Sequence, residues 1–302
     1  MKKDLDHLPP RKRRELARIV EILHEEFEEA QAGASSEKRR RGRILKIVLF
    51  GSYARGDWVD ARSSPRGYQS DYDILIVVNQ KKLTDPGGAW YYAEDRITRL
   101  IKAPFTLIVH TLGEVNDHMT KGHYFFADIR REGVMLYELP GQKPLAKPRP
   151  LTPQEAYEIS AEYYEHWIES ARRWLINFRD NFDRGWNNDA AFMLHQAVEK
   201  TYNTFLLTVT HYIPNTHNIV HLRNLSEGRD QRLIEVWPRY HKRDRATYRL
   251  LKRAYVEARY SKHYSITAEQ LDWLEAHARQ LHELVDQACR EHLERLKNEA
   301  SA

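Results

Sequence analysis

The sequence predicts two folds in series: an α/β domain around a small mixed sheet, then an all-α antiparallel helical bundle. Three observations lead there. Short β-branched runs at Ile44–Phe50, Ile74–Val78 and Phe105–His110 alternate with helical stretches. The segment Leu139–Pro150 holds four prolines and a glycine, a composition that sustains neither a helix interior nor a central strand. Beyond it Ala, Glu, Leu, Arg and Lys dominate and β-branched runs are few. The expected division is a first domain over 1–139, a Pro-rich linker over 140–152 and a helical domain over 153–302.

Taken in order, a helix is expected over 9–31. Pro10 suits its first turn, Leu16, Ile19, Val20, Ile22, Leu23 and Phe27 form an apolar stripe, and Gly33 lies past its end. The first two strands follow, separated by a polar stretch, Asp60–Ser70, that reads as a surface loop. Pro86-Gly87-Gly88 breaks the chain before a helix over 89–102. A third strand at 105–110, a helix near 112–121 and an α/β tail ending in Val134–Glu138 complete the unit. In the second domain helices are expected at 153–183, 188–211, 229–236, 244–263 and 267–299. Thr267 with Glu269 and Gln270 marks the last start.

At 302 residues the chain has room for two ordinary domains, and 41% hydrophobic with 30% charged residues fits a folded, helix-rich protein. No apolar stretch reaches the roughly 20 residues of a membrane helix, so no membrane partner is expected. The single cysteine, Cys289, excludes an internal disulfide and any cysteine-built zinc cage. Met1–His7 lacks a signal-like apolar core, so a cytoplasmic home is expected. The net charge is +5, with basic clusters at Arg11–Arg14 and at Lys38–Arg41 with Arg43. Each reads either as a surface for nucleic acid or a nucleotide, or as a solvated helix start and loop, the second being favoured because no aromatics interleave them.

The chemistry concentrates on two strands. Gly51-Ser52 ends the first and leads into a helical turn, offering backbone N–H groups and a hydroxyl to a phosphate. Asp71-Tyr72-Asp73 opens the second, and alternation along a strand puts both carboxylates on one face. Carboxylates held that close repel unless a cation sits between them, and a divalent metal carrying a triphosphate is the natural occupant.

These residues, with the strand–helix order around them over about 40–140, resemble the polymerase-beta-type minimal nucleotidyltransferases related to kanamycin nucleotidyltransferase. The resemblance implies that Asp71 and Asp73 are catalytic ligands of Mg2+ and that Gly51 and Ser52 bind the phosphates of a nucleoside triphosphate, ATP being expected. A nucleoside monophosphate would pass to an acceptor hydroxyl of unassigned identity: a small molecule, a protein side chain or a nucleic-acid end. Two departures stand out. The interval between Gly51-Ser52 and Asp71 is long and carries Arg62 and Arg66, and the third strand offers no carboxylate where the family has a third acid. Thr106 or His110 takes that face, leaving Glu114 or Asp128 as substitutes, slow catalysis, or a protein that binds nucleotides without turnover.

The helical half resembles the HEPN family through Ala191–Lys200, Pro214–Ile219 and Ala258–Ser261, over about 153–298. That implies nucleotide or acceptor binding and a homodimer. His195 and Glu199, four apart on one helix face, either touch a nucleotide or form a core histidine–acid pair, the second being favoured. Arg259 and His263 are placed on one helix with three residues between them, too few for the family's ribonuclease spacing. A binding or dimerising role is favoured over metal-independent RNA cleavage. The aromatics of the first bundle helix, Tyr157 to Trp174, are expected as packing.

Overall fold

The computed structural model describes residues 1–32, 41–59, 69–85 and 87–302. Arg62, Arg66, Lys38–Arg40, Gly33, Pro86 and most of the loop expected after Asp60 therefore lie outside the described residues. The chain divides into two compact units, the described residues up to Pro150 forming one and Leu151–Ala302 the other.

In the first unit α1 (Pro10–Ala32) precedes β1 (Ile44–Phe50) and a five-residue helix, α2 (Gly51–Arg55). Next come β2 (Tyr72–Val78), α3 (Ala89–Ile101), β3 (Phe105–Thr111), α4 (Leu112–Thr120), α5 (Tyr124–Glu132) and β4 (Val134–Glu138). The sheet order is β3-β2-β1-β4. β1 runs antiparallel to both β2 and β4, while β2 and β3 are parallel, so the sheet is mixed. Every residue of β1 is buried, as expected of a central strand covered on both faces. On one face Ile47, Leu49, Ile74, Ile76 and Val78 pack with Leu16, Ile19, Leu23 and Phe27 of α1 and Trp90, Ala93 and Ile97 of α3. The alternate side chains face the α4–α5 side, where Phe50 meets Phe125 edge-on at 5.5 Å.

The Pro-rich segment after β4 has no regular structure but is strapped to α4. Leu145 is buried, the Ala146 N–H donates to Asn116 Oδ1 (2.8 Å), and the Arg149 N–H donates to the Met119 carbonyl (2.9 Å).

The second unit is helical: α6 (Pro153–Asp183), α7 (Asn187–Thr210), α8 (Ile219–Glu227), α9 (Lys242–Tyr260) and α10 (Ala268–Ser301), with a 3-10 turn at Gln231–Glu235. Capping boxes at Thr152/Glu155 and Thr267/Gln270 start α6 and α10. Of the 24 residues of α7, 17 are buried, which makes it the central helix, packed on α6, α8, α9 and α10. α8 is absent from the helices the sequence predicts, and the helix predicted to run to residue 263 is shorter. The helix instead stops at Tyr260, where Ser261 turns extended, and Tyr264 folds back to donate to the Leu250 carbonyl (3.0 Å).

Candidate active site

The site is built at the join of β1 and β2. Phe50 leaves β1 extended, and Gly51 turns the chain into α2 with φ +71°. The Gly56 N–H, donating to the Ser52 carbonyl (2.8 Å), closes the turn. Antiparallel pairing sets Phe50 opposite Asp73, so the glycine meets the carboxylate directly. A Cβ on Gly51 would lie 2.1 Å from Asp73 Oδ2, a space only glycine leaves open. The two motifs, 20 residues apart in sequence, thus form one surface.

Asp71 sits just before β2 and is buried, while Asp73 is half-buried. Parallel pairing puts Thr106 of β3 beside Asp73, and its hydroxyl donates to Asp71 Oδ2 (3.2 Å). Of the two candidates, it is therefore Thr106 that lies beside the aspartates. His110 lies four residues further along β3, edge-on to Phe126 at 5.4 Å with Nδ1 3.5 Å from Glu114 Oε2. Glu114 does not move in as a substitute: it caps α4 through Thr111 and pairs with Lys81. Burial raises its pKa, but Lys81 and Thr111 outweigh that and hold it at about 2. Asp128 pairs with Arg131 at 2.6 Å.

Among the described residues, no group of three or more His, Cys, Asp or Glu side chains is arranged to hold a metal ion alone. Asp71 and Asp73 nevertheless suit magnesium, a hard cation usually held by one or two carboxylates with substrate phosphates and water completing its shell. The missing Cβ at Gly51 lets Asp73 Oδ2 lie directly against the backbone of the turn.

The Arg11–Arg14 cluster does not form a single basic face. Arg11 pairs with Glu15 (2.8 Å) and Arg13 with Asp6 (3.1 Å), while Lys12 is buried. Period 3.6 turns one of four successive residues inward.

In the second unit His195, Glu199 and Arg259 come together, joined by His217 of the Pro214–Ile219 motif and by Tyr255, which no motif indicated. His217 Nδ1 is 3.0 Å from Glu199 Oε2, and its ring stacks on Tyr255 at 4.2 Å. His195 lies 5.3 Å from the same Tyr255 ring and 3.9 Å from Glu199. Burial, with the charges of His217 and Arg259, holds the His195 pKa at about 3, so the ring is neutral. The Arg259 guanidinium lies over Phe192, Tyr255 and Tyr260 and donates to the Tyr255 carbonyl. His263 falls in the turn after α9, its N–H donating to Ser261 Oγ (3.2 Å), rather than on one helix with Arg259. His217 was legible only as part of the Pro214–Ile219 motif, because nothing local predicts that this loop returns to α7.

Two families match the chain: Nucleotidyltransferase domain over residues 34–107 and HEPN domain over 164–290. A relative from Methanocaldococcus jannaschii, named "Putative protein adenylyltransferase", is 32% identical over 103 residues, 33% of this chain and 86% of the relative. The chain belongs to the nucleotidyltransferase family. It is a nucleotidyltransferase–HEPN fusion. A crystal structure of a nucleotidyltransferase-like protein from Exiguobacterium sibiricum 255-15 aligns over 87% of this chain and 77% of that one. Its identity is 13% and its TM-score 0.25, too low a likeness to carry an argument.

In this nucleotidyltransferase the matched region holds Gly51, Ser52, Asp71, Asp73 and Thr106 but begins after α1. His195, Glu199, His217, Tyr255 and Arg259 all fall inside the HEPN match, and so does His263. No helix among the described residues is long and apolar enough to cross a membrane.

Proposed function

We propose that this protein transfers a nucleoside monophosphate, AMP from ATP, to a side-chain hydroxyl of a protein, with Mg2+ bound by Asp71 and Asp73. The observation that carries it is the contact between the Gly51 turn and Asp73, which sets the Gly51-Ser52 backbone directly against one of two neighbouring carboxylates. Bound magnesium would offset the triphosphate's charge and favour departure of pyrophosphate. Gly51 and Ser52 would hold the phosphate tail by backbone N–H and hydroxyl. The acceptor oxygen forms a bond to the α-phosphorus as the bond to pyrophosphate breaks. Thr106 cannot take the acceptor's proton as a carboxylate would, so that proton goes to water. The name of the archaeal relative supports a protein acceptor.

The HEPN bundle, through the His195–Glu199–His217 group, would bind nucleotide or acceptor and pair two chains as a homodimer. A monomer by analytical ultracentrifugation at micromolar concentration would exclude that pairing. The reading places the protein in the cytoplasm, in keeping with one buried free cysteine, Cys289. The deciding experiment is Mg2+-dependent pyrophosphate release from ATP, expected to vanish in Asp71→Ala/Asp73→Ala. Release that persists in the double variant sinks the assignment.

One observation favours a second reading, nucleotide binding without turnover: the threonine bonded to Asp71 where a third acid would stand. Calorimetric ATP binding with no pyrophosphate released under any divalent cation would establish it. A ribonuclease reading has less support, since Arg259 lies on α9 and His263 in the turn after it.

A further inference from the structure

Behind the glycine turn lies an aromatic stack that ties both halves of the site together. Tyr53 directly follows Ser52, and Tyr72 stands between Asp71 and Asp73. Both rings are fully buried and stack at 4.3 Å with planes 20° apart, and Trp58 stacks on Tyr53 at 5.3 Å. The Lys12 ammonium sits 5.2, 5.6 and 5.4 Å from the centroids of Tyr53, Trp58 and Tyr72, within cation–π reach of all three rings. Its side chain is only 5% exposed, and Glu15 Oε2 lies 3.4 Å away. That same carboxylate oxygen accepts from the Tyr72 hydroxyl at 2.6 Å. His7 Nε2, 2.8 Å from the Tyr53 carbonyl, adds a further tie.

Lys12, Glu15 and His7 all precede residue 34, where the nucleotidyltransferase match begins. α1 thus brings a buried cation to the rear of a site whose front belongs to the family. Side chains alternate on β2, so a shift of Tyr72 moves its two aspartate neighbours with it. A shift of Tyr53 likewise moves Ser52.

We propose that Lys12 is a positioning residue for nucleotidyl transfer, holding the Gly51–Ser52 turn and the Asp71/Asp73 pair in register through the Tyr53–Tyr72 stack. The proposal rests on the nucleotide reading of that front surface. Its distinctive consequence is coupling. A triphosphate bridging the turn and a metal at the carboxylates gains from both only if their spacing is held. Loss of Lys12 should weaken the cooperation between metal and nucleotide more than the metal-free affinity.

The test is calorimetry on the full chain with a nonhydrolysable ATP analogue, in Mg2+ and in EDTA. The ratio of the two affinities reads the coupling, and Asp71→Ala/Asp73→Ala sets its floor. Lys12→Met is expected to lower the ratio about tenfold. Lys12→Arg, which keeps a cation over the rings, should recover most of it. A loss of folded protein lowers the number of binding sites and leaves the ratio alone, so stability and positioning separate. Should Lys12→Met not fold, Trp58→Leu, removing one of the three rings within reach of the ammonium, carries the same expectation. A wild-type ratio in the folded variant overturns the proposal. A wild-type protein already at the floor overturns the front-surface reading, and this proposal with it.

Discussion

Alanine at Gly51 perturbs both the backbone and Asp73. At φ +71° an L-residue costs about 1–2 kcal/mol relative to glycine. The new Cβ would lie 2.1 Å from Asp73 Oδ2, whereas ordinary contact begins at 3.4 Å, so the carboxylate must retreat by about 1.3 Å. Forcing that side chain off its rotamer costs about 0.5–1.5 kcal/mol more. Gly51→Ala should therefore cost about 1.5–3.5 kcal/mol of stability. Because about 1 Å of misplacement is worth roughly 100-fold in rate, pyrophosphate release should fall by about that factor. Urea unfolding followed by circular dichroism, beside a coupled pyrophosphate assay, measures both. In an Asp73→Ala background only the backbone penalty of about 1–2 kcal/mol should remain. The same stability cost in both backgrounds, or unimpaired release by Gly51→Ala, would refute the claim that the turn and the carboxylate share one space.

Further expectations follow from the same geometry. Thr106→Asp adds a third carboxylate beside Asp71, so the metal-free protein should melt lower and millimolar Mg2+ should recover the loss; a melting curve indifferent to Mg2+ argues against a cation site. His195 and His292 are buried with pKa values of about 3 and about 4, below the usual 6.5 chiefly because of burial. The unfolded chain therefore takes up these protons first. Their stabilisation is whole above pH 6.5 and is lost as pH falls toward 4, at about 1.4 kcal/mol per pH unit for each ring. Urea midpoints against pH should show this, with a shallower fall in His195→Gln, and an unchanged slope would contradict it. Glu227, 1% exposed, pairs with Arg239, with Arg223 3.8 Å away. Glu227→Ala leaves buried guanidinium charge and should cost about 3–5 kcal/mol by the same unfolding assay; a loss under about 1 kcal/mol would mean that water already reaches the pair.

The elements most legible in sequence are those whose signal is local. β1 begins and ends as its apolar run does, and α6 runs from Pro153 to Asp183 because Thr152 and Glu155 form its capping box. β2 starts two residues before its apolar run, at Tyr72, since Asp73 pairs with Phe50 in spite of its charge. α8 escaped notice for the converse reason. Its nine residues follow Asn218, which caps through the Val220 N–H, but Asn and His near both ends read as loop. The 3-10 turn at Gln231–Glu235 was expected as part of a longer helix; Asp230 bonding the Arg232 N–H tightens it instead.

The candidate site divides along the same line. Gly51, Ser52, Asp71 and Asp73 were readable because each belongs to a short pattern whose geometry strand alternation dictates. Thr106 was readable only as the absence of an acid, and its bond to Asp71 needed the parallel register of β2 and β3. Lys12 was unreadable in principle from its neighbours, because among Arg11, Arg13 and Arg14 it looks like surface charge. What turns it inward is the phase of α1: Lys12 shares the buried stripe with Leu16, Ile19 and Leu23. A lysine on that stripe survives only where ring faces and a carboxylate replace water, and Tyr53, Trp58, Tyr72 and Glu15 supply them. The residue that breaks the apolar pattern of α1 is therefore the one that connects α1 to the site, its ammonium lying against the rings beside Ser52 and between the two aspartates.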